Sequence, residues 1–172
     1  MVVTLLRLII GFFLAVFAVV IVAMCLGAVV LPFFHADLAA ELATDAKGLT
    51  TMQAILLIEG VLLGIAILLG MVEYFFLLLW RVLGSIEGDP FIPANSVRLS
   101  RMAWTAVAAN VWAIVFGVYV AWAQTFIADA IEGADFNVDF GGGGLVLILV
   151  LFVLARVFEH GTQMRADLEG TV

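Results

Sequence analysis

The sequence predicts an all-α, polytopic membrane protein with four transmembrane helices, and three observations carry that prediction. Hydrophobic residues make up 66% of the chain and charged residues only 12%, with a mean hydropathy of +1.26, whereas a soluble domain is about 45–50% apolar and about 25% charged. Apolar runs recur four times at the length of about 20 residues that a hydrocarbon core demands. All basic residues but Lys47 fall at the N-terminus, around the middle connection and in or beside the tail. A chain of 172 residues has room for four spans, three short loops and a tail within a single domain, residues 1–172. That leaves no space for a fused kinase, nuclease or ATPase.

The first span is expected at residues 8–31, a charge-free run preceded by Arg7. It exceeds the apolar core of about 7–15 residues of a cleaved signal peptide and passes straight into Pro32-Phe33-Phe34, so it reads as a retained helix. Met24 stands where a lipobox before Cys25 would need a small residue. The second segment, residues 52–83, would measure about 48 Å as one helix against a hydrocarbon core of about 30 Å. It must tilt or project. The third span is expected at 102–123 and the fourth at 141–158, followed by a tail at 159–172.

Arg7, Arg81, Arg98, Arg101, Arg156 and Arg165 fall in the N-terminus, the middle loop and the tail, while Lys47 stands alone in the other two loops. By the positive-inside rule, both termini and the loop 84–100 are expected to be cytoplasmic, with loops 32–51 and 124–140 outside. The outer loops then carry Asp37, Glu41, Asp45, Asp129, Glu132, Asp135 and Asp139. A multi-pass protein of a bacterial cytoplasmic (inner) membrane is the expected localisation. Net charge of −7 argues against direct nucleic-acid binding through bulk positive potential.

Lipid supplies no hydrophobic drive for helix association, so seams of small residues carry the packing. Three are visible: Gly11, Ala15, Ala23 and Gly27 in the first span; Gly60-x-x-x-Gly64 in the second; and Ala109, Ala113, Gly117 and Ala121 in the third. Each serves either packing within the chain or a homo-oligomer. Trp80, Trp104 and Trp122 near span ends read as interfacial anchors.

Glu59 and Glu73 interrupt the second span, where an ionised carboxylate costs on the order of 2.5–3.5 kcal/mol at the helix centre. In the antiparallel third span, Asn110 and Gln124 share their fourteen-residue spacing. Two polar layers are expected: an inner one with Glu73, Asn110 and Arg156, and an outer one with Glu59 and Gln124. These would form a structural clasp or a proton or cation path. The absence of internal prolines from the spans, and of a visible repeat, favours the clasp.

Other signals fail. His35 and His160 are expected on opposite sides of the membrane and cannot share a haem or metal, and the lone Cys25 excludes an intrachain disulfide or a cysteine-based zinc site. Residues 135–139, Asp-Phe-Asn-Val-Asp, imitate the start of a calcium loop, but Gly141 arrives one place late and Val146 stands where a bidentate Glu is needed. Gly141 to Gly144 lack the Lys-Ser/Thr of a phosphate loop and read as a hinge. No catalytic, metal or cofactor site is expected, and the chain reads as no enzyme.

The middle loop runs Gly88-Asp89-Pro90-Phe91-Ile92-Pro93-Ala94-Asn95-Ser96-Val97-Arg98-Leu99. Glycine and two prolines enforce a turn, Asn95 or Ser96 is expected to cap the third helix, and Arg98 and Arg101 follow one turn apart. The tail carries Gly161, Met164, Asp167, Leu168 and a Thr171-Val172 ending, and is expected to leave the bilayer as an amphipathic helix. The Gly-x-Pro-Phe turn, the Asn-x-x-Arg-Leu helix start and the Thr-Val ending together resemble the small four-helix bacterial membrane proteins grouped as domain of unknown function 2975. The resemblance implies a non-enzymatic membrane protein encoded beside, and partnering, a small cytosolic helix-turn-helix regulator. The partner surface would then comprise Gly88, Pro90, Phe91, Asn95, Arg98, Arg101, Met164, Asp167 and Leu168. Two other functions stand beside it: a small transporter or ion-translocating protein using Glu59 and Glu73, and a structural subunit of a membrane complex.

Overall fold

A computed structural model of the chain describes residues 2–34, 50–86, 88, 90–127 and 143–169. The acidic residues of the two long loops, His35, Lys47, Asp89, the calcium-loop imitation, Gly141, Gly142 and Thr171-Val172 lie outside the described residues. So do the side chains of Asp167 and Leu168.

Four long helices follow one another: α1 (Val2–Val30), closed by a 3-10 turn at Leu31–Phe34, then α2 (Thr51–Ser85), α3 (Pro93–Ile127) and α4 (Gly143–Glu169). All four are long and apolar enough to cross a membrane. Their boundaries exceed the apolar runs. α1 begins at Val2 and runs through Arg7 without a break, because an arginine at a helix end keeps its guanidinium at the polar boundary while its stem lies along apolar neighbours. α3 begins at Pro93, ahead of the expected caps Asn95 and Ser96, since proline at the first helical position has φ already set and no N–H to lose. Asn95 and Ser96 therefore lie inside the first turn and do not cap it. Asn95 N instead donates to Ile92 O at 2.9 Å. At the start of α2, Thr50 and Gln53 exchange bonds as a capping box, Thr50 N to Gln53 Oε1 at 3.0 Å and Gln53 N to Thr50 Oγ1 at 3.4 Å.

Contacts divide the chain into two compact units, one of Met1–Phe17, Met71–Asn110 and Phe140–Val172, the other of Ala18–Gly70 and Val111–Asp139. In the first unit, Leu78, Leu99, Met102, Ala103, Leu151 and Ala155 form a buried cluster flanked by Phe75, Leu79, Phe152 and Phe158. α1 joins it through Phe17 on Phe76, with ring centroids 6.2 Å apart, and through Arg7, whose guanidinium lies 4.7 Å over the Trp80 ring.

The second unit is built on glycine and aromatics. Leu57 and Ala123 are buried together with Tyr119 and Phe126 against them. A Cβ added at Gly60 would overlap the Tyr119 hydroxyl, and one at Gly64 would overlap the Phe116 ring. The bared backbone is used too: Tyr119 Oη donates to Leu57 O at 3.1 Å and Trp112 Nε1 to Gly64 O at 3.0 Å. These bonds satisfy side-chain donors that lipid could not. Gly60-x-x-x-Gly64 thus serves packing within the chain, and its occupant is an aromatic face rather than the small residues of α3. Ala121 of that stripe is exposed. On α1, Ala15, Ala23 and Gly27 are exposed, and a Cβ at Gly11 or Gly27 would meet nothing within 4 Å.

Candidate functional site

The polar layers are arranged differently from the sequence expectation. Asn110 Nδ2 donates to Ala106 O of its own helix at 2.8 Å, and its Oδ1 lies 3.3 Å from where a Cβ at Gly144 would stand. Asn110 therefore meets the start of α4. Arg156 is twelve residues further along that helix, about 18 Å away. The register follows from the apolar contacts: Ala155 buries with Ala103, and Trp104 meets Phe152 edge-on at 5.6 Å. Among the described residues no hydrogen bond joins half-buried Glu73 to Asn110 or Arg156. The inner layer is thus not assembled. Glu59 and Gln124 are both half-buried in the second unit.

The middle loop is a built structure. Asn95 is only 1% exposed, and its side chain spends itself on the turn. Its Nδ2 donates to Pro90 O at 2.9 Å and to Ser85 Oγ at 2.6 Å, while Ser85 Oγ donates to Val82 O at 2.6 Å. Asn95 Oδ1 accepts from Arg98 NH1 at 2.9 Å. Arg98 NH1 also reaches Arg81 O at 3.3 Å, placing a cation near the C-terminal end of α2, where the helix dipole favours positive charge. Asn95 therefore cannot itself touch a partner, and Arg98 is largely spent within the fold. Gly88 N closes the turn onto Ser85 O at 3.2 Å.

Phe91 carries the turn onto α4. Its ring lies 5.2 Å from that of Phe158, Thr162 Oγ1 donates to Phe91 O at 3.3 Å, and a Cβ at Gly161 would stand 2.8 Å from the Phe91 ring. Glycine is what lets the ring approach the helix backbone at that point. Phe91 nevertheless stays 42% exposed, beside Val97 and Met164, which are also exposed.

Beside this clamp, α3 and α4 enclose a cleft of about 380 Å³ lined by Ser96, Val97, Ser100, Arg101, Phe152, Ala155, Arg156 and Glu159. Arg101 and Arg156, expected to do separate things, converge here, and both are exposed. Sequence reasoning missed Ser100 and Glu159. Their signal was the i, i+1 pair Ser100-Arg101 and the i, i+3 pair Arg156-Glu159, which becomes visible only once the register of the two helices is known. Among the described residues no group of three or more His, Cys, Asp or Glu could hold a metal ion.

A model of the family described as protein of unknown function (DUF2975) matches residues 35–172. No curated protein and no solved structure matches the chain.

Proposed function

Because the chain belongs to the family of proteins of unknown function DUF2975, we propose that it acts as that family's resemblance implies: a non-enzymatic membrane regulator that binds or sequesters a small cytosolic helix-turn-helix regulator. One observation supports this reading most. The turn locked by Asn95 and clamped through Phe91 to α4 presents a preformed surface in which Phe91, Val97 and Met164 are exposed beside Arg101. An apolar centre with a charged rim suits a protein interface, and a surface ordered before binding avoids the entropy of ordering it on contact. Gly88 and Pro90 shape the turn, Asn95 and Arg98 hold it, and Phe91, Arg101 and Met164 make the contacts.

The reading needs this end of the helices in the cytoplasm of a bacterial cell, the orientation that the positive-inside rule gives. In a Cys25→Ser background, a cysteine at position 94 should be shielded from an impermeant thiol reagent in intact cells, while one at position 137 reacts. The reverse pattern would invert the protein and remove the surface from the cytosol.

For the docking itself, Met164→Glu and a deletion of residues 162–172 should each reduce retention of the neighbouring regulator in membrane fractions. Phe91→Ala should do so as well. Unchanged retention in all three, or no regulator held by the intact protein, refutes the reading.

A further inference from the structure

The cleft between α3 and α4 has a composition that the docking surface does not require: two cations, a carboxylate and a free hydroxyl above an aromatic floor. The guanidinium groups of Arg101 and Arg156 have no hydrogen-bond or ion-pair partner among the described residues. Two like charges converging on one cleft repel unless an anion lies between them. Ser96 Oγ is spent on Pro93 O at 2.9 Å, whereas Ser100 Oγ has no such bond among the described residues and remains as a donor.

The depth of the cleft is marked from within. Trp104, one turn along α3 from Arg101, is 62% exposed and packs edge-on against Phe152, one turn along α4 from Arg156. An exposed tryptophan marks the boundary between hydrocarbon and headgroups, so the two arginines stand one turn beyond it, about 5 Å further out, at the level of lipid phosphate. Glu159 is three residues beyond Arg156, about 4.5 Å further from the membrane centre. From the aromatic floor outward, the order is apolar, doubly cationic, then anionic.

We propose that this cleft binds the headgroup of an aminophospholipid: the phosphate on Arg101, Arg156 and Ser100, the primary ammonium on Glu159, and the acyl chains against Trp104 and Phe152. The phosphodiester oxygens accept from two guanidinium groups, which are strong and geometrically matched donors to phosphate. The ethanolamine ammonium, two methylenes beyond the phosphate, donates to the Glu159 carboxylate, so each charged group in the cleft meets one of opposite sign and the two guanidinium groups share the single phosphate charge. Basic pockets between membrane helices bind lipid headgroups by this chemistry. The carboxylate adds selectivity, since it accepts a charge-assisted bond from the ammonium, meets only neutral hydroxyls on a glycerol headgroup and has no N–H to accept from on a quaternary choline.

The test uses the full-length protein in dodecylmaltoside, stripped of lipid and titrated separately with phosphatidylethanolamine, phosphatidylcholine and phosphatidylglycerol. Native mass spectrometry counts the lipid retained. Phosphatidylethanolamine should be held about tenfold more tightly than either of the others, the size of one charge-assisted hydrogen bond. Glu159→Gln should erase that preference while leaving phospholipid binding in place, and Arg101→Gln or Arg156→Gln should weaken all three lipids. All three variants change exposed side chains, so unaltered melting without lipid separates a binding defect from a folding one. Equal retention of phosphatidylethanolamine and phosphatidylcholine by the wild type overturns the assignment. So does displacement of the lipid by millimolar inorganic phosphate, which would make the occupant a free anion. Glu159→Gln should leave regulator retention unchanged, so failure here and failure of the docking surface are distinguishable.

Discussion

Gly64→Val is expected to lower the melting temperature in detergent sharply, while Gly11→Val leaves it nearly unchanged. Both are glycines inside apolar helices, and helix propensity alone would favour valine slightly at either site. The difference is what each glycine faces. At Gly64 a single Cβ already overlaps the Phe116 ring, and Phe116 is 7% exposed, so the ring has little space to retreat into. A branched side chain must push α2 and α3 apart, and that separation also breaks the bond from Trp112 Nε1 to Gly64 O. Overpacking of a filled site costs about 1–3 kcal/mol, and the stranded indole N–H adds to it in lipid. At Gly11 a Cβ meets nothing within 4 Å. Phe116→Leu should recover part of the Gly64→Val loss, because the smaller side chain vacates the overlap. Equal melting of the Gly64 and Gly11 variants would show that the aromatic face does not hold α2 to α3.

Asn95→Ala should both destabilise the protein and open the turn that precedes α3. The side chain is 1% exposed and serves Pro90 O, Ser85 Oγ and Arg98 NH1 at once. Alanine removes all three bonds. A neutral bond contributes about 1 kcal/mol net and one to a charged group about 1.5–3 kcal/mol. The three together amount to about 3.5–5 kcal/mol, and water reaching the freed groups lowers the expected loss to about 2–4 kcal/mol. Asn95→Asp keeps an acceptor for Arg98 but cannot donate to Pro90 O, so it should fall between alanine and wild type. Limited proteolysis between residues 84 and 92 gives a second readout, since a turn released from Asn95 becomes a substrate. If Asn95→Ala melts like wild type and its turn resists protease, the network contributes nothing and the preformed surface loses its basis.

These two positions differ in how visible they were beforehand. Gly60-x-x-x-Gly64 is legible as a close contact from spacing alone, yet its partner is not: the stripe of alanines on α3 is the obvious complement, and the structure uses Phe116 and Tyr119 instead. Side-chain volume explains the outcome, because a glycine pair opens a recess and a recess is filled best by a flat ring. Asn95 is legible as a polar residue at a helix start, and the capping role assigned to it follows general preference. Pro93 takes the first helical position and moves Asn95 inside, where its amide turns back to hold the loop.

The four helices, their order and their apolar character follow from the sequence by itself, because bilayer thickness imposes a length and lipid imposes a composition that no other constraint mimics. Membership of the family was likewise readable from the turn, the helix start and the tail. What only tertiary structure decided is register. The shared fourteen-residue spacing pairs Glu73 with Asn110 and Glu59 with Gln124, and that spacing carries no information on how far α4 slides along α3. Packing of Ala155 with Ala103 and of Phe152 with Trp104 sets that slide, bringing Arg156 to Arg101 and Gly144 to Asn110. One turn of slide moves a side chain about 5.4 Å, more than a hydrogen bond can span. Polar partners between helices are therefore chosen by the apolar contacts around them, and a single sequence does not encode those contacts in any local pattern.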